Sequence, residues 1–118
     1  MDTEKTREEM QQETQRRLAR LEEAWEDHQR KKMCFEKEKE DAYVSMAEDQ
    51  AMIQDLVETW GSSPDSNTVY TILDETLAEE KKELQQMEDQ LEEEGRRIRQ
   101  EQRECEELCR EQEADADD

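Results

Sequence analysis

From Thr6 to Trp60 the chain runs without a glycine or a proline, and along it a strict seven-residue spacing recurs. Leu18, Trp25, Lys32, Lys39, Met46, Ile53 and Trp60 form one row, and Leu21, His28, Phe35, Ala42, Asp49 and Leu56 form a second, three positions later. Rows with this spacing meet on one edge of a helix and ask for a second helix to cover them, with a left-handed superhelical contact. A matching pair of rows follows in the second half of the chain: Tyr70, Leu77, Leu84, Leu91, Ile98 and Cys105, then Leu73, Glu80, Met87, Glu94, Glu101 and Leu108. Few folds other than paired long helices accommodate such a pattern.

Between the two halves lies the only proline and one of the two glycines. Gly61 suits the left-handed position that ends a helix, since no Cβ clashes there. Ser63-Pro64 suits a helix start, with the serine hydroxyl capping free N–H groups and the proline needing no donor. Thr6 with Glu9 offers a capping box at the far end of the first arm. The fold class expected is all-α: an antiparallel two-helix hairpin, coiled-coil-like, with surface left to complete a larger helical bundle with partners. The boundaries expected are a single hairpin over 1–118, with a helix from about 4 to 60, a turn at 61–66, a helix from about 64 to 112 and a frayed acidic tail at 113–118.

Composition raises disorder as the competing reading, because only 31% of residues are hydrophobic, 46% are charged and the net charge is −20. Against it, half of the 118 residues are Ala, Glu, Lys, Leu or Arg, a bias that with sustained periodicity marks long helices. Strong acidity argues against nucleic acid and against anionic membranes, and favours a partner with a basic face. The second half is the more acidic, net −13 against −7 in the first sixty residues, which points to docking mainly on the second arm. No apolar run of membrane-spanning length and no signal-like start occurs, so the cytoplasm is the default location. Export alongside a partner would leave no such mark.

Folding at the turn is expected to bring residues level when their numbers centre on about residue 65. Ile53 then faces Leu77, Met46 faces Leu84 and Trp25 faces Cys105, while Lys39 nears Leu91 and Glu94, and Lys32 nears Ile98 and Glu101. Gly95 falls level with Phe35, which would pack into the space the missing side chain leaves, a local kink being the alternative. Cys34 lies about 14 Å from Cys105 in this register, too far for a disulfide, so three reduced thiols are expected. His28 with Cys105 and Cys109 supplies three soft ligands in a spacing that matches no zinc pattern, and ordinary packing is the preferred reading. The carboxylates lie on solvated helix faces; no phosphate loop, cofactor motif or activated nucleophile is present, and no enzyme activity is expected.

Apolar residues broaden beyond the seam near the turn, where Tyr43, Val44, Met52 and Val57 stand outside it, either as a second contact surface or as further cover for the hairpin's inner face. The candidate partner-binding residues are Tyr43, Met52, Ile53, Leu56, Val57, Trp60, Val69, Tyr70, Ile72 and Leu73. Aromatic and β-branched anchors gather there, and such residues dominate interfaces. Trp60 has a competing role as the plug that closes the hairpin.

The layout of a long charged helix ending in Leu56-x-x-x-Trp60, then Gly61-Ser62-Ser63-Pro64-Asp65, a Tyr70-x-x-Leu73 start and heptads with Arg96-Arg97 resembles a known one. Over roughly residues 10–112 it is similar to the small α-helical proteins encoded beside LXG toxins of type VII secretion in Gram-positive bacteria, in the class without its own export signal. The resemblance implies an adaptor or targeting chaperone that pairs with the helical LXG domain of a toxin, beside a small WXG-like helical protein. Two features depart from WXG proteins. Trp60 and Gly61 are adjacent rather than separated, and the one aromatic-x-x-x-acid match, Tyr70 to Asp74, opens the second helix instead of lying near the C-terminus. The alternatives are a coiled-coil or stalk protein of another secretion apparatus, such as type III, and a homodimeric coiled-coil scaffold, the homodimer also being an option for the isolated chain.

Overall fold

The computed structural model describes residues 6–116, and among them every residue outside Thr6 and positions 61–63 is helical, with no strand. Helix α1 is Arg7–Trp60, 54 residues, and helix α2 is Pro64–Ala116, 53 residues. The protein is all-α, and the turn joins the two helices as a helical hairpin. Its ends follow the local chemistry. The Glu9 amide donates to Thr6 Oγ1 at 3.2 Å, so Thr6 caps α1. At the other end Gly61 has φ 70° and its N–H donates to Val57 O at 2.9 Å, the left-handed helix stop that glycine permits. The Ser66 amide then donates to Ser63 Oγ at 3.1 Å, and Pro64 opens α2.

The first residues expected in α1, around 4 and 5, lie outside the described residues. The acidic segment expected to fray from 113 instead remains helical as far as Ala116, and 117–118 lie outside the described residues. The last turn of α2 has no basic residue of its own, but Arg7 Nη1 donates to Asp115 O at 2.9 Å. A cation from α1 thus meets a carbonyl that helix geometry leaves without a partner.

Two compact units divide the chain: Lys32–Gln90, the turn unit, and residues 6–31 with 91–116, the terminal unit. In the turn unit Phe35, Met46, Ile53 and Tyr70 are buried, and Ala42, Leu56, Leu73, Leu77 and Leu84 are half-buried. These are the heptad rows read from the sequence. Full burial of a side chain such as Phe35 or Ile53 contributes about 1.5–3 kcal/mol, so this short row supplies most of the unit's apolar stabilisation. Tyr70 closes the turn: its hydroxyl lies 3.1 Å from Leu56 O and 3.0 Å from Gly61 O, and can donate to either. Trp60, the expected plug, is 60% exposed and does not fill that role. Tyr70 takes the inner place because the helix stop at Gly61 turns the chain before Trp60 can face α2.

The terminal unit has a polar interior. Thr14, His28 and Gln102 are buried there with Leu21 and Cys105. Gln102 Nε2 donates to Leu21 O at 3.3 Å, and its Oε1 accepts from Arg99 Nη1 at 3.2 Å. The Arg99 guanidinium sits 3.7 Å from the centre of the Trp25 ring. Cys105 Sγ donates to Thr14 O at 3.4 Å. Side chains that reach a facing helix's backbone require close helices, and small residues on both sides permit this.

The register differs from the expected one. Trp25 meets Arg99 rather than Cys105, Lys39 pairs with Glu88 at 2.7 Å rather than nearing Leu91 and Glu94, and Glu94 is reached instead by Lys31, at 3.3 Å. The cause is the length of the turn. Only 61–63 separate the helices, so the fold pivots at Ser62, from which Trp25 and Arg99 are equidistant in sequence. The same shift corrects the reading of Gly95. A β-carbon there would lie 2.7 Å from His28 Nε2 and 3.3 Å from its Cδ2, so the imidazole of His28, not Phe35, occupies the space. The Met87 and Leu108 row also turns outward, and Glu88, Gly95, Gln102 and Cys109, one position later, turn inward.

Two variants test these packings. Tyr70→Phe keeps the ring and removes the hydroxyl, and should lower stability by about 0.5–1.5 kcal/mol in urea denaturation with helicity unchanged. Gly95→Ala should gain about 1 kcal/mol from helix propensity, yet overpacking against the buried His28 ring costs about 1–3 kcal/mol. The single variant is therefore expected to melt lower than the native protein by circular dichroism, whereas in a His28→Ala background the same change should raise the melting temperature.

Candidate functional site

The ten residues picked out around the turn separate into two groups. Ile53 and Tyr70 are buried in the helix–helix seam, and Leu56 and Leu73 are half-buried beside them. These four hold the turn unit together. Tyr43, Met52, Val57, Trp60, Val69 and Ile72 are exposed, with Val44 beside them. Near the turn, Val57 and Trp60 are three residues apart at the end of α1, and Val69 and Ile72 are three apart at the start of α2, so each pair shares a helix face. None is needed to bury the seam, and large apolar side chains clustered at one end of a domain mark an interaction surface more often than chance exposure does.

Further along α1, Glu36, Glu40, Tyr43, Val44 and Ala47 line a shallow groove, with Lys39 at its inner edge. Lys39 is engaged there: Glu88 accepts from its ammonium, and the Tyr43 ring centre lies 5.8 Å away. The hydrogen bond to Glu88 raises the Lys39 pKa above its usual value. Val44 and Ala47 were not among the candidate residues. Tyr43 and Val44 stand outside the seam in the sequence itself; Ala47 also falls outside the heptad rows, but so small a side chain gives no apolar signal.

The distribution of potential ligands is equally definite. His28 lies against Gly95, with its Nδ1 3.7 Å from Glu94 Oε1 and without a hydrogen-bond partner. Cys105 instead faces Thr14, so the histidine and the cysteine pair occupy different layers of the terminal unit. Among the described residues no group of three or more His, Cys, Asp or Glu side chains is placed to hold a metal ion, and no helix is long and apolar enough to cross a membrane. All three cysteines are free, with Cys34 exposed, Cys109 half-buried and Cys105 fully buried.

Comparison of the chain with protein families, curated proteins and solved structures returns no match. The functional reading therefore rests on the surface itself and on the resemblance in layout noted above.

Thiol accessibility provides a direct check on the terminal unit. Burial, reinforced by Cys105 and by the carboxylates of Glu113 and Glu106, pushes the Cys109 thiol above its usual pKa. A raised pKa lowers the thiolate fraction at neutral pH, and the thiolate is the reactive form. With a chromogenic disulfide reagent, Cys34 should react first, Cys109 more slowly and Cys105 only at the rate of local opening. Mass spectrometry of the labelled peptides checks the order.

Proposed function

We propose that the chain is a non-catalytic helical adaptor, a targeting chaperone that binds the helical domain of an LXG-type toxin together with a small WXG-like helical partner and assists type VII delivery. The observation that carries this reading is the set of exposed apolar residues at the turn, Trp60 foremost. The seam is closed by Tyr70 and does not need Trp60, so an exposed tryptophan stands beside Val57, Val69 and Ile72 without a structural task. A docking helix would cover these residues and gain their burial, the energy source of helix-in-groove recognition. The resemblance of the turn and heptads to the toxin-associated family supplies the identity of the partner. The acidic surface is suited to steering a basic partner more than to holding it.

Trp60→Ala and Val57→Asp test the reading. Both side chains are exposed, so helicity should be retained and any stability change should stay within about 1 kcal/mol. Loss of an aromatic anchor typically costs about 2 kcal/mol or more at an interface, and co-purification with the toxin's helical domain should fall accordingly. Undiminished co-purification by both variants, with loss on charge reversal at Glu92, Glu93 and Glu106, would mean that binding runs along the second arm and that the proposal is wrong.

A further inference from the structure

The cations, unlike the carboxylates, thin out toward the turn. Between Lys39 and Lys81 there is no Lys, Arg or His, while residues 40–80 carry eleven Asp and Glu side chains. This stretch lies wholly within the turn unit and also carries the exposed Tyr43, Val44, Met52, Val57, Trp60, Val69 and Ile72. No cation follows in the last turn of α1 to offset them. A cation-free acidic region with unpaired apolar groups is complementary to one chemistry: an amphipathic helix whose apolar stripe is flanked by Lys and Arg.

We propose that such a cationic amphipathic helix docks along the α1 groove, with its apolar stripe on Tyr43, Val44 and Ala47 and its cations paired with Glu36 and Glu40. This rests on the adaptor reading above and names the chemistry of the partner. Residues 36, 40, 43 and 47 follow one another at turn spacing on one face of α1, so carboxylates and apolar groups form a single strip. Ala47 contributes only a methyl one turn beyond Tyr43, leaving room for an incoming side chain. Lys39, the one cation at the groove, is neutralised locally by Glu88 at 2.7 Å and so does not oppose a basic ligand. Exposed carboxylate pairs add little by themselves, and the groove supplies the selectivity that charge lacks.

The experiment uses the full chain and three fluorescent peptides of about five helical turns: a Leu/Lys amphipathic helix, a scramble of identical composition, and a version with Glu for Lys. Fluorescence anisotropy at physiological salt should show the amphipathic cationic peptide binding about tenfold or more tighter than the scramble, with no binding of the Glu version. Ala47→Gln fills the groove without changing charge and should reduce the amphipathic peptide to the scramble's affinity. Glu36→Gln with Glu40→Gln should weaken it several-fold, and Glu92→Gln with Glu93→Gln should leave it unchanged. Circular dichroism of each variant should match the native chain, since every substitution is an exposed helix position taking a good helix former. Equal binding of scramble and amphipathic peptide, indifference to Ala47→Gln, or equal weakening by the Glu92/Glu93 change would each overturn the groove. Intact co-purification with the toxin domain alongside any of those results would remove this inference and leave the adaptor reading standing.

Discussion

Because only Gly61, Ser62 and Ser63 separate the helices, the last carbonyls of α1 and the first amides of α2 come within reach of the same few side chains. Gly61 takes the positive φ that reverses the chain, Ser63 caps the next helix, and the Tyr70 hydroxyl reaches back to carbonyls on both sides of the reversal. With so short a connection the facing residues cannot slide by a turn without stretching it. The pivot at Ser62 then dictates which layers form in each unit: Lys39 with Glu88 in one, and Trp25 with Arg99 and His28 with Gly95 in the other.

The two units use that constraint differently. In the turn unit the seam is apolar, and Phe35, Met46 and Ile53 would remain buried in several neighbouring registers. In the terminal unit the interior is built from groups that demand particular partners. Gln102 Nε2 reaches Leu21 O and Cys105 Sγ reaches Thr14 O on the facing helix, and glycine at 95 is the only residue type that admits the His28 ring. Polar interiors of this kind add little net stability but penalise a slipped register, because a displaced partner leaves a buried polar group unpaired at about 1–3 kcal/mol. His28 Nδ1 already carries part of that cost, with Glu94 near but not bonded.

Helix content, the turn and the capping residues were legible because each follows from local chemistry: a left-handed glycine, a serine before proline, uninterrupted heptads. The rows on α1 were legible for the same reason. Register was not, since a 3.5-residue repeat looks alike after a shift of one heptad, and the true pivot depends on where helical geometry resumes after Gly61. The start of α2 at Pro64 is legible, but the expected register centres on residue 65, whereas the chain pivots at Ser62. That small difference moved Gly95 from Phe35 to His28. On α2 the inner row passes from Leu73 to Glu88, Gly95 and Gln102, residues too polar or too small for an apolar pattern to reveal. The candidate surface was partly legible: clustering near the turn identified the region, but only packing separates Ile53 and Tyr70, which the seam consumes, from Trp60 and Ile72, which it leaves exposed.

The same separation bears on why the turn unit keeps apolar side chains on its outside. Single exposed apolar residues are ordinary on any protein surface. Here they coincide with the one long stretch that has no cation, so the carboxylates around them repel one another without internal relief. Such a surface is disfavoured in the isolated chain on two counts, unburied apolar area and like-charge repulsion, and the proposed basic amphipathic helix would relieve both at once. The terminal unit keeps a net negative charge too, but its cations are spread among its carboxylates, and Arg30 pairs with Asp27, Lys31 with Glu94 and Arg96 with Glu93. What sets the turn unit apart is the coincidence of exposed tryptophan and isoleucine with a stretch free of cations, and the proposed association at the turn rests on that coincidence.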